Sequence, residues 1–295
     1  MNGRTVEFNM NCLICQSPSK RIFQKGKYWI RECMGCHHRF AEITPTDNHI
    51  HQIYRDDYFR GGDAGYPDYL SEAKIISTYG RRYAFMLEKF VSPGMLLDVG
   101  SAAGFILKGF EESGWRGMGL EPNSSMAEYG RIHLGLQVGT GSLEHFSYEQ
   151  QFDLVVMIQV IAHFYDVRNA LQNAESVTKP GGFWLIETWN RESWIARCLG
   201  RYWHEYSPPS VLHWFSPRGL NSLVSQFGFS EIARGHPAKR ISGAHAKSLL
   251  EYTWQGTALD WLKSGLRIIP DHLVIPYPSF DLFWILFQKN TNSSA

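Results

Sequence analysis

The sequence is short of cysteine, of net charge and of long apolar runs, and each shortage narrows what the chain can be. Only five cysteines occur in 295 residues, too few for a disulfide-stapled secreted scaffold. The net charge is +1 and charged residues make up 19% of the chain, which argues against a protein that coats nucleic acid through its overall field. No apolar stretch reaches the roughly 18 residues of a membrane span. The opening MNGRTVEFNM has no apolar core of the kind a signal peptide needs. Internal repeats and low-complexity tracts are missing as well. A hydrophobic share of 44% then places the chain among globular proteins, long enough for one large core and a small accessory module, and the expected location is cytoplasmic.

What is present is concentrated. Residues 96–123, LLDVGSAAGFILKGFEESGWRGMGLEPN, run as an apolar strand with Asp98 near its end, a small-residue turn, a helix, a second apolar strand and then Glu121. Gly100 and Gly104, with Ser101, Ala102 and Ala103 between them, carry almost no side chain, so backbone can approach a ligand closely and the next helix can aim its amides at it. Glu121 falls 21 residues after Gly100, where a carboxylate can accept both hydrogens of a ribose diol. This order predicts a site for S-adenosylmethionine (SAM). A nicotinamide-dinucleotide site is the competing assignment, since it also sets an acid about 20 residues past its glycines. Here the turn reads G-x-A-x-G, and Asp98 interrupts the apolar approach that usually leads into a dinucleotide turn.

Cys12 and Cys15 form one C-x-x-C and Cys33 and Cys36 a second, with 17 residues between the pairs. That spacing matches the four-thiolate site of a structural zinc ribbon and leaves only Cys198 over. Two disulfides are the alternative, disfavoured in a chain that reads as cytosolic. His37 and His38 follow the second pair and are expected outside the ligand set. Residues 1–40 carry seven Lys and Arg against two Glu, a local charge of +5, so a ribbon that grips RNA or DNA phosphates stands beside the simpler reading of a solvated surface.

Further along, FDLVVMI (152–158) and FWLIET (183–188) are near-continuous apolar runs that suit strands covered on both faces, and KPGG (179–182) reads as a turn. Tyr69, Ala73, Ile76, Tyr79, Tyr83, Met86 and Phe90 recur at helical spacing, Ser216-Pro217 reads as a helix start, and SFDLFWILFQK supplies the last strand. On these residues the chain resembles the class I SAM-dependent methyltransferases, especially the bacterial group with a "DVG…G…EP" opening, a "FD…H" middle and a "KPGG" ending, over roughly residues 65–290. Ala102 stands where that group has a glycine, and Ala162 where it often has Glu before His163.

The resemblance implies an α/β fold, with a doubly wound, mostly parallel seven-stranded sheet and a small N-terminal zinc ribbon. The expected organisation is a ribbon over residues 1–43, a linker that covers the cofactor over 44–65, and a methyltransferase domain over 66–295 with an aromatic insertion at 189–216. The SAM contacts implied are Tyr58, Asp98, Gly100, Ser101, Ala102, Gly104, Glu121, Pro122, Leu143 and Gln159. Tyr58, Phe59 and Tyr66 are expected over the cofactor, where aromatic faces suit a sulfonium. The density of Trp189, Trp194, Trp203 and Trp214, with Arg, His and a Pro-Pro turn, suits a lid or wall over an acceptor site. The pattern of Asn190, Gly200, Trp203, Pro208-Pro209, His213 and Phe215-Ser216 resembles the subgroup found among polysaccharide and secondary-metabolite methyltransferases. His163 and then His213 are the candidate bases, with Glu187 and Asn190 as orienting groups. The activity implied is methyl transfer to oxygen, nitrogen or carbon of a small-molecule or sugar-like acceptor. RNA or DNA methylation and a non-catalytic SAM-binding scaffold are the alternatives, and the oligomeric state stays open.

Overall fold

Two C-x-x-C turns anchor the N-terminal hairpins, and the strands between them are short. β1 (Ser19–Lys25) and β2 (Tyr28–Cys33) form one antiparallel pair, and β3 (Arg39–Ala41) adds to β2. The computed structural model describes residues 10–43, 53–59, 68–254, 265, 268, 270–277 and 279–291. Tyr66 and most of the expected linker lie outside the described residues.

A helix then spans Ala73–Leu87, with Ile76, Gly80, Tyr83, Ala84 and Leu87 buried along one stripe. β4 (Met95–Val99), β5 (Arg116–Glu121), β6 (Val138–Thr140), β7 (Phe152–Ile158) and β8 (Thr178–Trp189) follow, alternating with helices Phe105–Glu111, Ser124–Leu134 and Val167–Ser176. Next come β9 (His213–Trp214), a helix over Pro217–Val224, β10 (Phe229–Gly235), the pair β11 (Arg240–Ser242) and β12 (Val274–Pro276), and β13 (Leu282–Lys289). The Ser216 side chain accepts from Gly219 N at 3.1 Å and starts the 217–224 helix as its sequence predicts.

The seven-stranded sheet has the order β10-β13-β8-β7-β4-β5-β6. Its β4 to β8 strands pair parallel, while β13 pairs antiparallel with both β8 and β10. Parallel strands must be covered on both sides, which is why their sequences are apolar throughout. Leu154 and Val156 point to one layer with Tyr83, Leu107 and Phe110. Val155 and Met157 point to the other, with Leu171, Ala174, Leu220 and Leu223. The winding reverses between β4 and β7, the place where α/β sheets open a crevice at their carboxyl ends.

Two features depart from what the sequence predicts. KPGG does not interrupt the strand: Thr178 pairs with Phe152 and the next pair is Leu154 with Phe183, so residues 179–182 bulge while β8 runs on. The ribbon is also not self-contained. β9, from the expected insertion, is the fourth strand of its sheet, with Arg39 opposite Trp214 and Phe40 opposite His213. Trp203 and Trp214 have 0% exposure and pack with Tyr206 and with Ile30 and Ala41 of the ribbon. They are core of the seam between ribbon and sheet rather than a wall over an acceptor. Trp194, on helix Trp194–Leu199, is 63% exposed.

Candidate active site

The turn after β4 holds a shape that side chains would prevent. Gly100 has φ 65° and Gly104 φ 84°. A Cβ on Gly100 would lie 2.5 Å from Val160 Cγ2, and one on Gly104 2.5 Å from Leu136 Cδ1. Ala102 shares the left-handed region at φ 48°, at a cost of about 1–2 kcal/mol for a residue with a Cβ. Glu121, at the end of β5, holds the turn there. Its carboxylate accepts from Ala102 N and Asn123 N, each at 2.8 Å. Burial pushes Glu121 up to about 7 against the pull of those two amides, and burial pushes Asp98 up to about 7 as well.

Asn123 joins the cofactor edge to the segment above it. Its side chain caps helix Ser124–Leu134 by accepting from Met126 N at 2.8 Å, and donates to Tyr54 O at 2.9 Å and Asp56 Oδ1 at 3.1 Å. Residues 53–59 are thereby fastened near Glu121, with Tyr58 half-buried. Burial, with Glu205 and Glu121 facing it, pushes the Tyr58 phenol up to about 12. Leu143 is buried in the turn Leu143–His145 that follows β6. Pro122 follows Glu121, and Gln159, at φ 58°, donates its amide to Glu187 O at 2.8 Å just past β7.

Three buried polar atoms at this edge have no hydrogen-bond partner among the described residues: Asp98 Oδ2, Ser101 Oγ and Glu144 Oε2. Such atoms are uncommon and costly. They lie at the carboxyl ends of β4 and β6, where a ligand rich in hydrogen-bond donors would satisfy them. The ribose, amino and adenine groups of SAM meet that requirement. Tyr54 and Glu144 belong to this edge although neither stands out in the sequence.

His163 sits in the turn Ile161–His163 beyond β7. Its Nδ1 is 2.7 Å from Ser210 O and must donate to it. Its ring meets Tyr54 edge-on at 5.8 Å and Trp189 edge-on at 5.7 Å. Burial lowers its pKa, against the carbonyls of Ser210 and Gln159. Tyr54, Tyr58, His163 and Trp189 are all half-buried.

His213 does not join them. It is 3% exposed on β9, with Nε2 donating to Phe164 O at 3.0 Å, Nδ1 at 3.4 Å from His38 Nε2, and its ring stacked on His38. Burial lowers it to about 4. With both nitrogens engaged inside the seam, His213 is a packing residue and not a base. Glu187 is likewise engaged: Lys239 Nζ lies 2.8 Å from Oε1 and Tyr83 Oη donates to Oε2. Asn190 Oδ1 caps Glu192 N at 2.9 Å.

The four ribbon cysteines converge. Cys12 Sγ is 3.5 Å from Cys36 Sγ and Cys15 Sγ 3.3 Å from Cys33 Sγ, with all four sulfurs within 4.8 Å of one another. Tetrahedral zinc with bonds of about 2.3 Å sets its sulfurs about 3.8 Å apart. Ile14 N points at Cys12 Sγ, and Gly35 N and Cys36 N at Cys33 Sγ, each at 3.3 Å, an arrangement that favours thiolates. Cys198 is exposed and apart from the cluster. The ribbon's arginines are largely spoken for, since Arg21 and Arg31 pair with Glu42 and Arg39 with Glu32.

A doubly wound sheet with this glycine turn and this acid after β5 is the architecture of the SAM-dependent methyltransferase fold. The chain belongs to the methyltransferase-domain family, whose model matches residues 71–233. It is 29% identical over 144 residues to the ubiquinone biosynthesis O-methyltransferase of Nitrobacter winogradskyi, covering 47% of this chain and 53% of that protein. It is 30% identical over 131 residues to the enzyme of that name from a Bradyrhizobium strain, covering 43% and 49%. The chain thus spans about half the length of the curated relatives it matches. A solved SAM-dependent methyltransferase from Archaeoglobus fulgidus aligns with a TM-score of 0.51 at 16% identity, over 75% of this chain and 99% of that one, a likeness of fold. Among the described residues no helix is long and apolar enough to cross a membrane.

Proposed function

We propose that the chain transfers the methyl group of SAM to a hydroxyl oxygen of a small acceptor, with His163 receiving the hydroxyl proton. One observation carries this reading. Beside the edge that holds Asp98 and Glu121, the Ser210 carbonyl accepts a hydrogen bond from His163 Nδ1–H at 2.7 Å, so the neutral ring keeps its lone pair on Nε2. SAM supplies a methyl group already activated by its positive sulfur. The chain's work is to hold the acceptor in line and dry, and Tyr54, Tyr58 and Trp189 provide the walls. The names of the curated relatives favour oxygen as the acceptor atom.

Cys12, Cys15, Cys33 and Cys36 are assigned to one zinc ion with a structural task. A nucleic-acid acceptor is disfavoured because Arg21, Arg31 and Arg39 are occupied by glutamates. The test is release of S-adenosylhomocysteine with 3,4-dihydroxybenzoate, 2-(3,4-dihydroxyphenyl)ethylamine, glucosamine, glucuronate and bulk RNA as acceptors. Turnover is expected on a small hydroxyl compound, and His163→Asn should lower kcat by about 10²- to 10⁴-fold while SAM affinity stays within a few-fold. Turnover on RNA alone, or a parental kcat in His163→Asn, rejects the proposal.

A further inference from the structure

One backbone carbonyl serves two side chains from distant parts of the chain. His163 Nδ1 donates to Ser210 O at 2.7 Å, and the Tyr54 phenol donates to the same oxygen at 3.0 Å. A carbonyl oxygen has two lone pairs, and here both are used. The two rings also meet, with centroids 5.8 Å apart and planes at 84°. The shared oxygen is itself held in place. Ser210 is 5% exposed, its Oγ donates to Ser207 O at 2.9 Å, and Leu212 N donates at 2.8 Å to Ala162 O, in the turn that carries His163.

Tyr54 is fastened from the cofactor side in turn. Its carbonyl accepts from Asn123 Nδ2 at 2.9 Å, while Asn123 N donates to Glu121 Oε1 at 2.8 Å. A run of hydrogen bonds therefore leads from the acid expected at the ribose, through Asn123, Tyr54 and Ser210, to the candidate base. Trp189 meets the imidazole from β8 at 5.7 Å and 76°, so two near-perpendicular rings limit its rotation. Burial, with Tyr58, Glu144 and Glu121 facing it, holds the Tyr54 phenol well above its ordinary value and so keeps it a donor. His213, on β9, is the titratable group that faces His163 from the seam.

We infer that Tyr54 is a positioning residue for His163: its phenol fixes the Ser210 carbonyl and shares it with Nδ1–H, which leaves Nε2 free to receive the acceptor's proton beside the cofactor. The inference rests on the reading of His163 as the base. Sharing matters because an imidazolium draws more strongly on an acceptor than a neutral ring does. With Tyr54 on the second lone pair that gain is smaller, and the neutral ring is favoured.

Tyr54→Phe tests this, since it keeps the ring and the main-chain carbonyl that Asn123 holds and removes only the shared donor. The first readout needs no acceptor: nitrogen NMR of the imidazoles in the full chain saturated with S-adenosylhomocysteine, with the His163 signals identified by their loss in His163→Asn. Neutral His163 in the parent should carry its proton on Nδ1. In Tyr54→Phe the tautomer should persist and the titration midpoint should rise by about half to one pH unit. The acid limb of kcat, followed with whichever hydroxyl compound named above turns over, should move with it. Rates on that limb then fall about three- to tenfold, while kcat on the alkaline side and SAM affinity stay as in the parent. Glu121, at about 7, titrates in parent and variant alike and cancels in the comparison. A midpoint that is unmoved or lowered in Tyr54→Phe overturns this inference alone. A proton on Nε2 of the parent's neutral ring, or a parental kcat in His163→Asn, overturns the base reading and this inference with it.

Discussion

Replacing Glu121 by Ala tests the cofactor assignment and the bracing of the turn together. In the folded chain the carboxylate accepts from Ala102 N and Asn123 N in a position 3% exposed. Each buried amide left without an acceptor costs about 1–3 kcal/mol, so with two such amides the variant should lose about 2–6 kcal/mol of stability in urea. Loss of the charged acceptor for the ribose diol costs a further 1.5–3 kcal/mol of SAM binding, about ten- to 150-fold in Kd by calorimetry. Glu121→Gln separates the two effects, because it keeps one acceptor oxygen and the volume while losing the charge. Its stability should fall less than its affinity. The pH dependence follows from the raised pKa of about 7 against an ordinary 4.5. Between those values the folded chain keeps a proton that the unfolded chain has released, so ligand-free stability falls as pH rises through the window, by up to about 3 kcal/mol, and levels off above 7. SAM affinity runs the other way, improving up to about pH 7 as the carboxylate ionises and accepts the diol. Equal SAM Kd in parent and Glu121→Ala, or a Kd that stays flat from about pH 5.5 to 7.5, would refute the reasoning.

Purified protein should carry one zinc per chain by elemental analysis, with Zn–S distances of about 2.3 Å by X-ray absorption. Cys198→Ser should leave that content unchanged, and Cys33→Ser should empty the site and lower the thermal midpoint. His213→Ala should cost about 2 kcal/mol by stripping Phe164 O and His38 of their partner, with SAM affinity intact; parental stability combined with a collapse of kcat would restore His213 as a base. Neutralising Lys20, Lys25 and Lys27 should leave turnover and its salt dependence as they are. An RNA-binding salt slope that falls by about one unit per lost contact would give the ribbon a nucleic-acid partner instead.

The cofactor edge was legible because its parts are consecutive: strand, turn, helix, strand and acid follow one another within residues 96–123. The cysteine pairs were legible for the same reason. Tyr54 was not, since what ties it to this edge is the hydrogen bond that its carbonyl accepts from Asn123 Nδ2, which only the fold brings about. The tryptophans misled in the opposite sense. Their density in 189–216 suited an exposed wall equally well, and nothing local says that Trp203 and Trp214 are claimed by ribbon residues Ile30 and Ala41. His213 shares that fate, because its ring is committed to His38, 175 residues away in the chain. The left-handed Ala102 was concealed by its small size, and its conformation is held by Glu121 rather than by its own preference.

The pairing of β3 with β9 also sets an order of events during synthesis. Arg39 and Trp214 lie 175 residues apart, and at about 5–20 residues per second the second strand is made about 10–35 s after the first. All four ribbon cysteines have been translated by then, so metal capture can run well ahead of the ribbon's completion. Until β9 arrives, β3 offers an unpaired edge, with Phe40 and Ala41 waiting for cover. The ribbon is thus made well before it can close, and chaperones or neighbouring nascent chains have that interval in which to meet it.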